Sequence, residues 1–210
     1  MPKKFLPRLI LLISGLVLLA FGVALSIRSN LGTSPISSLP YVYSFIWPLS
    51  IGMITILMHV VMITLQMLLL GKTFKWQRWL QLPIGVVFGF AIDGMMWLTQ
   101  AWQPDSYWLQ AIFCILSCLI TAIGVCMVVK ANLVFLAAEG LYQAISQRFK
   151  FEFASCKLYG DITLVSLALI SSLLCLQQVI GIREGTILTA ILVGVLVRKI
   201  LPRLAFLKLD

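Results

Sequence analysis

Six apolar runs divide the chain, at residues 9–27, 51–70, 80–97, 107–129, 155–180 and 186–199, with short polar or basic segments between them. A helix rises 1.5 Å per residue, so about 20 apolar residues cross a hydrocarbon layer about 30 Å thick. Each run therefore predicts a spanning helix. The first is longer than the roughly 7–15 apolar residues of a signal peptide, and it reads as an uncleaved span although Ala24 and Ser26 have cleavage-site spacing. The predicted fold is all-α: a polytopic membrane helix bundle of six transmembrane helices forming a single integral membrane domain over 1–210.

The pattern repeats. Residues 22–44, GVALSIRSNLGTSPISSLPYVYS, are echoed 102 positions later by residues 124–146, GVCMVVKANLVFLAAEGLYQAIS. Gly22/Gly124, Val23/Val125, Asn30/Asn132, Leu31/Leu133, Leu39/Leu141 and Ser44/Ser146 are identical, and Arg28/Lys130 keeps its charge. Repeat 1 covers about residues 5–100 and repeat 2 about 107–201, each with three spans. Three is odd, so the second copy enters the membrane from the opposite side and the repeats are inverted, the construction of many secondary transporters.

Between its first and second spans each copy carries a piece too apolar for a solvated loop, at 28–48 and 130–154. The first reads as a short interrupted or re-entrant half-helix announced by Thr33-Ser34-Pro35, with Gly32 supplying the preceding turn. In the second copy Phe135, Leu136 and Ala137 replace those three residues, so the capping chemistry is lost there, and Glu139 stands where Ser37 stands in the first.

Composition places the whole chain in the bilayer: 61% of residues are hydrophobic and 11% charged, with a mean hydropathy of +1.05. The net charge of +9 does not point to nucleic acid, because Lys and Arg cluster at the ends of apolar runs. With the N-terminus inside, 14 of the 16 fall on the cytoplasmic side, Lys3, Lys4 and Lys208 among them, and only Arg28 and Arg183 on the other. Both termini are thus expected to be cytoplasmic. The five cysteines lie in apolar segments without paired loop spacing, so neither disulfides nor a metal is expected.

A half-helix beginning within the membrane offers free N–H groups and a positive dipole end to an anion. Arg28, Asn30, Thr33, Ser34 and Ser37, with Asn132 and Glu139 from the second copy, are the candidate substrate-binding residues. Ionisable side chains inside spans are costly, by at least about 2.5–3.5 kcal/mol on insertion scales. His59, Asp161 and Asp93 are three such residues and the candidates for proton coupling. His59 and Asp161 are again 102 apart. Their alternatives are a hydrogen bond to a neighbouring carbonyl for His59, and an ion pair with Lys157 one turn earlier for Asp161. The small-residue stripes Gly85, Gly89, Asp93 and Ala190, Gly194, Arg198 read as helix-packing faces.

Residues 22–41, GVALSIRSNLGTSPISSLPY, and 85–94, GVVFGFAIDG, resemble the YczE/YitT-type family of bacterial integral membrane proteins. The resemblance extends loosely over most of the chain, which has only a short basic tail where the YitT branch has a soluble domain. It implies a bacterial inner-membrane location and says little about activity, the family being largely uncharacterised.

No His pair, carboxylate cluster, phosphate loop or nucleophile motif is present, so an enzyme is not expected, nor a cofactor. The leading reading is a secondary transporter of a small organic solute, with an anion the class the helix-end donors fit, coupled to protons if coupled at all. The alternatives are a substrate-binding membrane subunit that works with a partner ATPase, for which Gly85 and Gly89 offer a docking patch, and a membrane scaffold. The expected partners are the lipid bilayer and a small-molecule substrate, without nucleic acid; a homo-oligomer is compatible with the pattern.

Overall fold

The computed structural model describes residues 5–206; Lys3, Lys4 and Lys208 of the charge pattern lie outside the described residues. Eight α-helices and no strand are found among the described residues: α1 Phe5–Arg28, α2 Pro35–Ile46, α3 Ile51–Leu70, α4 Gln81–Leu98, α5 Tyr107–Ala131, α6 Ala137–Phe149, α7 Phe153–Leu176 and α8 Glu184–Ile200. Six stretches are long and apolar enough to span a bilayer, and they include every helix except α2 and α6. With 12 and 13 residues, these two reach about 18–20 Å, well short of the hydrocarbon thickness.

The chain forms two compact units, and each is assembled from both halves of the sequence. One contains α1 with its following loop to Ser34, Ala91–Leu133 and the chain from Gly181; the other contains Pro35–Phe90 and Val134–Ile180.

In the first unit α1 packs along α5. The buried α1 residues Leu12, Leu16, Ala20 and Ala24 repeat at four-residue spacing, and so do Cys114, Cys118, Ala122 and Cys126 of α5. Four of the five cysteines act here and elsewhere as small buried residues; Cys175 is exposed. The two helices run antiparallel, because Gly15 faces Val128 while Gly22 faces Thr121. A Cβ on Gly22 would overlap Thr121, and one on Gly124 would lie 2.9 Å from Leu19. With a 102-residue offset, Gly22 against Thr121 and Gly124 against Leu19 are the same contact seen from the two copies. The Gly22/Gly124 identity therefore marks a close helix crossing.

The Asn30/Asn132 identity has a backbone reason of the same kind. Both residues are left-handed, at φ 55° and 48°, and their N–H groups donate to Ile27 O and Val129 O, again 102 apart. Asparagine tolerates this conformation and ends the first helix of each copy.

In the second unit α2 packs on α7 and α3, while α6 packs on α3 and α7. One apolar cluster gathers Ile36 and Leu39 of α2, Ala138 and Leu141 of α6, Met62 of α3 and Leu164 of α7. Ile36/Ala138, Leu39/Leu141 and Met62/Leu164 are all pairs of repeat mates. The cluster reaches from Met62 and Leu164, near the middles of α3 and α7, to Cys156 in the first turn of α7 and Phe74 and Leu82 beside the start of α4. The first helices of the two copies, α1 and α5, run antiparallel, as inverted three-helix repeats require, and each copy carries its short helix.

The glycine stripes divide. Gly85 and Gly89 of α4 face α3, where an added Cβ would lie 2.6 Å from His59 Nδ1 and 2.7 Å from Gly52 O. Gly194 of α8 has nothing within 4 Å, contrary to the packing expected of it. The physical reason is that α8 buries another face, Gly185, Thr186 and Thr189, and packs it on α5.

Candidate functional site

The loop from Ser29 to Ser34 holds much of the expected anion site, and its polar groups have partners in the first unit. Arg28 Nη2 donates to Met96 O at 2.8 Å, and Nε reaches Thr99 Oγ1 at 3.4 Å. The guanidinium thereby satisfies a carbonyl in the last turn of α4. Thr33 donates from both N–H and Oγ1 to Gly181 O, at 2.8 and 3.1 Å. Asn30 is exposed and its carbonyl accepts from Arg183 Nη1 at 2.9 Å. Gly32, at φ +113°, lets the loop fold back: a Cβ there would lie 2.6 Å from Thr186 Oγ1. Ser34, Ser37 and Asp93 are each engaged in an interaction of their own. Asn132 caps α5 as described. Of the expected site residues, Arg28, Asn30, Thr33, Ser34, Asn132 and Asp93 belong to the first unit, and Ser37, His59, Glu139 and Asp161 to the second.

Among the described residues the buried side-chain polar atoms without a hydrogen-bond partner are His59 Nδ1 and Glu139 Oε2, both in the second unit. His59 sits on α3 with its ring stacked on Phe88, centroids 6.1 Å apart, and its Nδ1 side closed by Gly85. The carbonyl bond expected as its alternative is absent at Nδ1.

Glu139 and Asp161 are brought together by the packing of α6 on α7. Asp161 Oδ2 pairs with Lys157 Nζ at 3.2 Å, as the spacing predicts, and Oδ1 accepts from Tyr142 Oη at 3.0 Å. Lys157 Nζ also stands 5.7 Å from the centre of the Tyr142 ring. Tyr142 fits because Gly160 leaves room for its ring edge. Glu139, in the first turn of α6, is pushed above the usual carboxylate range by burial and by the Asp161 charge, with Lys157 and its own backbone N–H opposing. Burial also raises the Tyr142 phenol, and Asp161 adds to it.

A second polar set holds the start of α6, and reading only ionisable residues in the sequence missed it. Gln66 Nε2 donates to Gln81 Oε1 at 2.9 Å and to Ala137 O at 3.0 Å. Arg78 donates to Gln66 Oε1 at 3.0 Å, Gly140 O at 3.2 Å and Gln143 Oε1 at 3.3 Å. Gly140 admits the two glutamines, whose amide atoms would lie 2.7–2.9 Å from a Cβ there. A glutamine in the run VVMITLQMLLL is the signal that was present.

The family model described as "Family of unknown function (DUF6198)" matches residues 6–202. No curated protein and no solved structure matches the chain.

Proposed function

The chain belongs to DUF6198, a family of unknown function, so its activity has to be read from its geometry, and we propose that it is a secondary transporter of a small organic solute. It works in the bacterial inner membrane with both termini cytoplasmic, the location implied by the charge pattern and by the resemblance to YczE/YitT-type proteins.

One observation carries this reading: α2 and α6, repeat mates too short to span, both pack into one apolar cluster that reaches the middles of α3 and α7. Alternating access needs a site near the midplane where inverted elements meet, with the two halves free to exchange roles. Helix ends there favour an anionic group on the solute, and the titratable groups of the second unit, His59, Glu139 and Asp161, supply candidates for proton coupling. The ATPase-partner reading loses its docking patch, since Gly85 and Gly89 face His59 and Gly52 within the chain.

The test is a ligand-stabilisation screen. The melting temperature of the full-length protein in detergent is followed against small acids, amino acids and vitamins at two pH values. A ligand at 100 times its Kd stabilises by about 2.7 kcal/mol, so one chemical class is expected to give a saturable upward shift. No saturable shift from any class would count against transport and for a scaffold.

A further inference from the structure

We propose that Glu139 is a proton-binding residue whose carboxyl takes up and releases one proton while Asp161 stays held by Lys157 and Tyr142. The proposal deepens the transport reading by naming the group that couples, and it rests on that reading only for the use made of the proton.

Glu139 and Asp161 are two carboxylates beside one ammonium, that of Lys157. Asp161 already has that ammonium at 3.2 Å and the Tyr142 hydroxyl at 3.0 Å. Glu139 has a buried Oε2 with no partner. An ionised carboxylate with a bare, buried oxygen is strongly disfavoured, whereas the neutral acid needs no counter-charge. The start of α6 favours a negative charge through its N–H groups, but Oε2 is buried and receives no donor.

The groups that face Glu139 are Lys157 and Asp161 from α7 and Tyr142 from its own helix. Two further ionisable groups of neighbouring elements lie against other residues. Arg78, before α4, is held by Gln66, Gly140 O and Gln143, and His59 of α3 faces Gly85 and Phe88. Release of the proton leaves an anion in the field of Lys157, which keeps its pair with Asp161 at 3.2 Å. In the first repeat the corresponding residues are Ser37 and His59, so this acid pair exists in one copy only.

The experiment is an infrared pH titration of the full-length protein in liposomes, following the carbonyl stretch of a protonated carboxyl. The wild type is expected to lose one such band above the usual carboxylate range, and Glu139→Gln to lack it. Asp161→Asn frees Lys157 to pair with Glu139 and is expected to move the transition down by about one pH unit or more. A band unchanged in Glu139→Gln, or no band in the wild type, overturns the proposal. Should Glu139→Gln not fold, an unmoved midpoint in Asp161→Asn does the same. The titration requires no solute, so a titrating Glu139 alongside a failed ligand screen removes the transport reading and leaves the proton site.

Discussion

Gly22→Leu is expected to prevent α1 and α5 from closing on each other, with the largest loss of stability of any single substitution considered for this protein. The new side chain has no escape by rotamer change, because the atoms around a Cβ at Gly22 include the backbone N and Cα of Thr121 at 3.1 and 3.2 Å as well as its side chain. Overpacking a tight core costs about 1–3 kcal/mol and occasionally more. Here the obstruction is backbone, so the helices must separate and the upper end applies. The two-fold relation adds a sharper demand: Gly124→Leu, which meets Leu19 and the Gly15 carbonyl at 2.9 Å, should cost a similar amount. Gly94→Leu and Gly194→Leu, with nothing within 4 Å of either glycine, should change little. Thermal unfolding of the four variants in detergent measures all of this. Wild-type melting of Gly22→Leu would refute the crossing.

The second large effect is expected from Gln66→Leu. The leucine fills similar volume but takes the donor from Gln81 Oε1 and an acceptor from both Gln81 Nε2 and Arg78, while Ala137 O keeps its helical N–H four residues on. A buried polar group left unpaired costs about 1–3 kcal/mol, whereas side-chain hydrogen bonds in membrane proteins average only about 0.6 kcal/mol in double-mutant cycles. The unpaired penalty applies to Gln66 because it is fully buried. Arg78 keeps Gly140 O and Gln143, which limits the loss to about 2 kcal/mol. Gln66→Glu retains the acceptor for Arg78 and should lose less. Denaturation of both variants ranks them, and equal stability of Gln66→Leu and wild type would show that the network does not hold α6.

The spans were legible because hydrophobicity alone determines them: 51–70 coincides with α3, and the other runs differ from the observed helices by a few residues. The repeat was legible too, including the two short helices. Less visible was why repeated residues repeat. Asn30 and Asn132 read as site polarity, yet their shared feature is a left-handed backbone, which side-chain chemistry does not announce. Thr33 read as a helix cap, but its partner is Gly181, 148 positions away, and only tertiary packing brings that carbonyl near. Glu139 stood out as the acid in place of Ser37. Its neighbours could not be named in advance, because they come from α7 and depend on Gly160 admitting Tyr142. Gln66 and Gln81 escaped notice because neither carries a charge.

The central claim, that mated half-helices form a centre exposed to each side in turn, is tested most directly by thiol accessibility at the shared cluster. Ile36 and Ala138 are repeat mates within it, and Ile36→Cys and Ala138→Cys can each be placed in protein whose five native cysteines are replaced by alanine. A membrane-impermeant thiol reagent is then applied to vesicles of either orientation. Alternating access predicts that each position reacts from both faces of the membrane. Reaction of either from one face only, or of neither from any face, would contradict it.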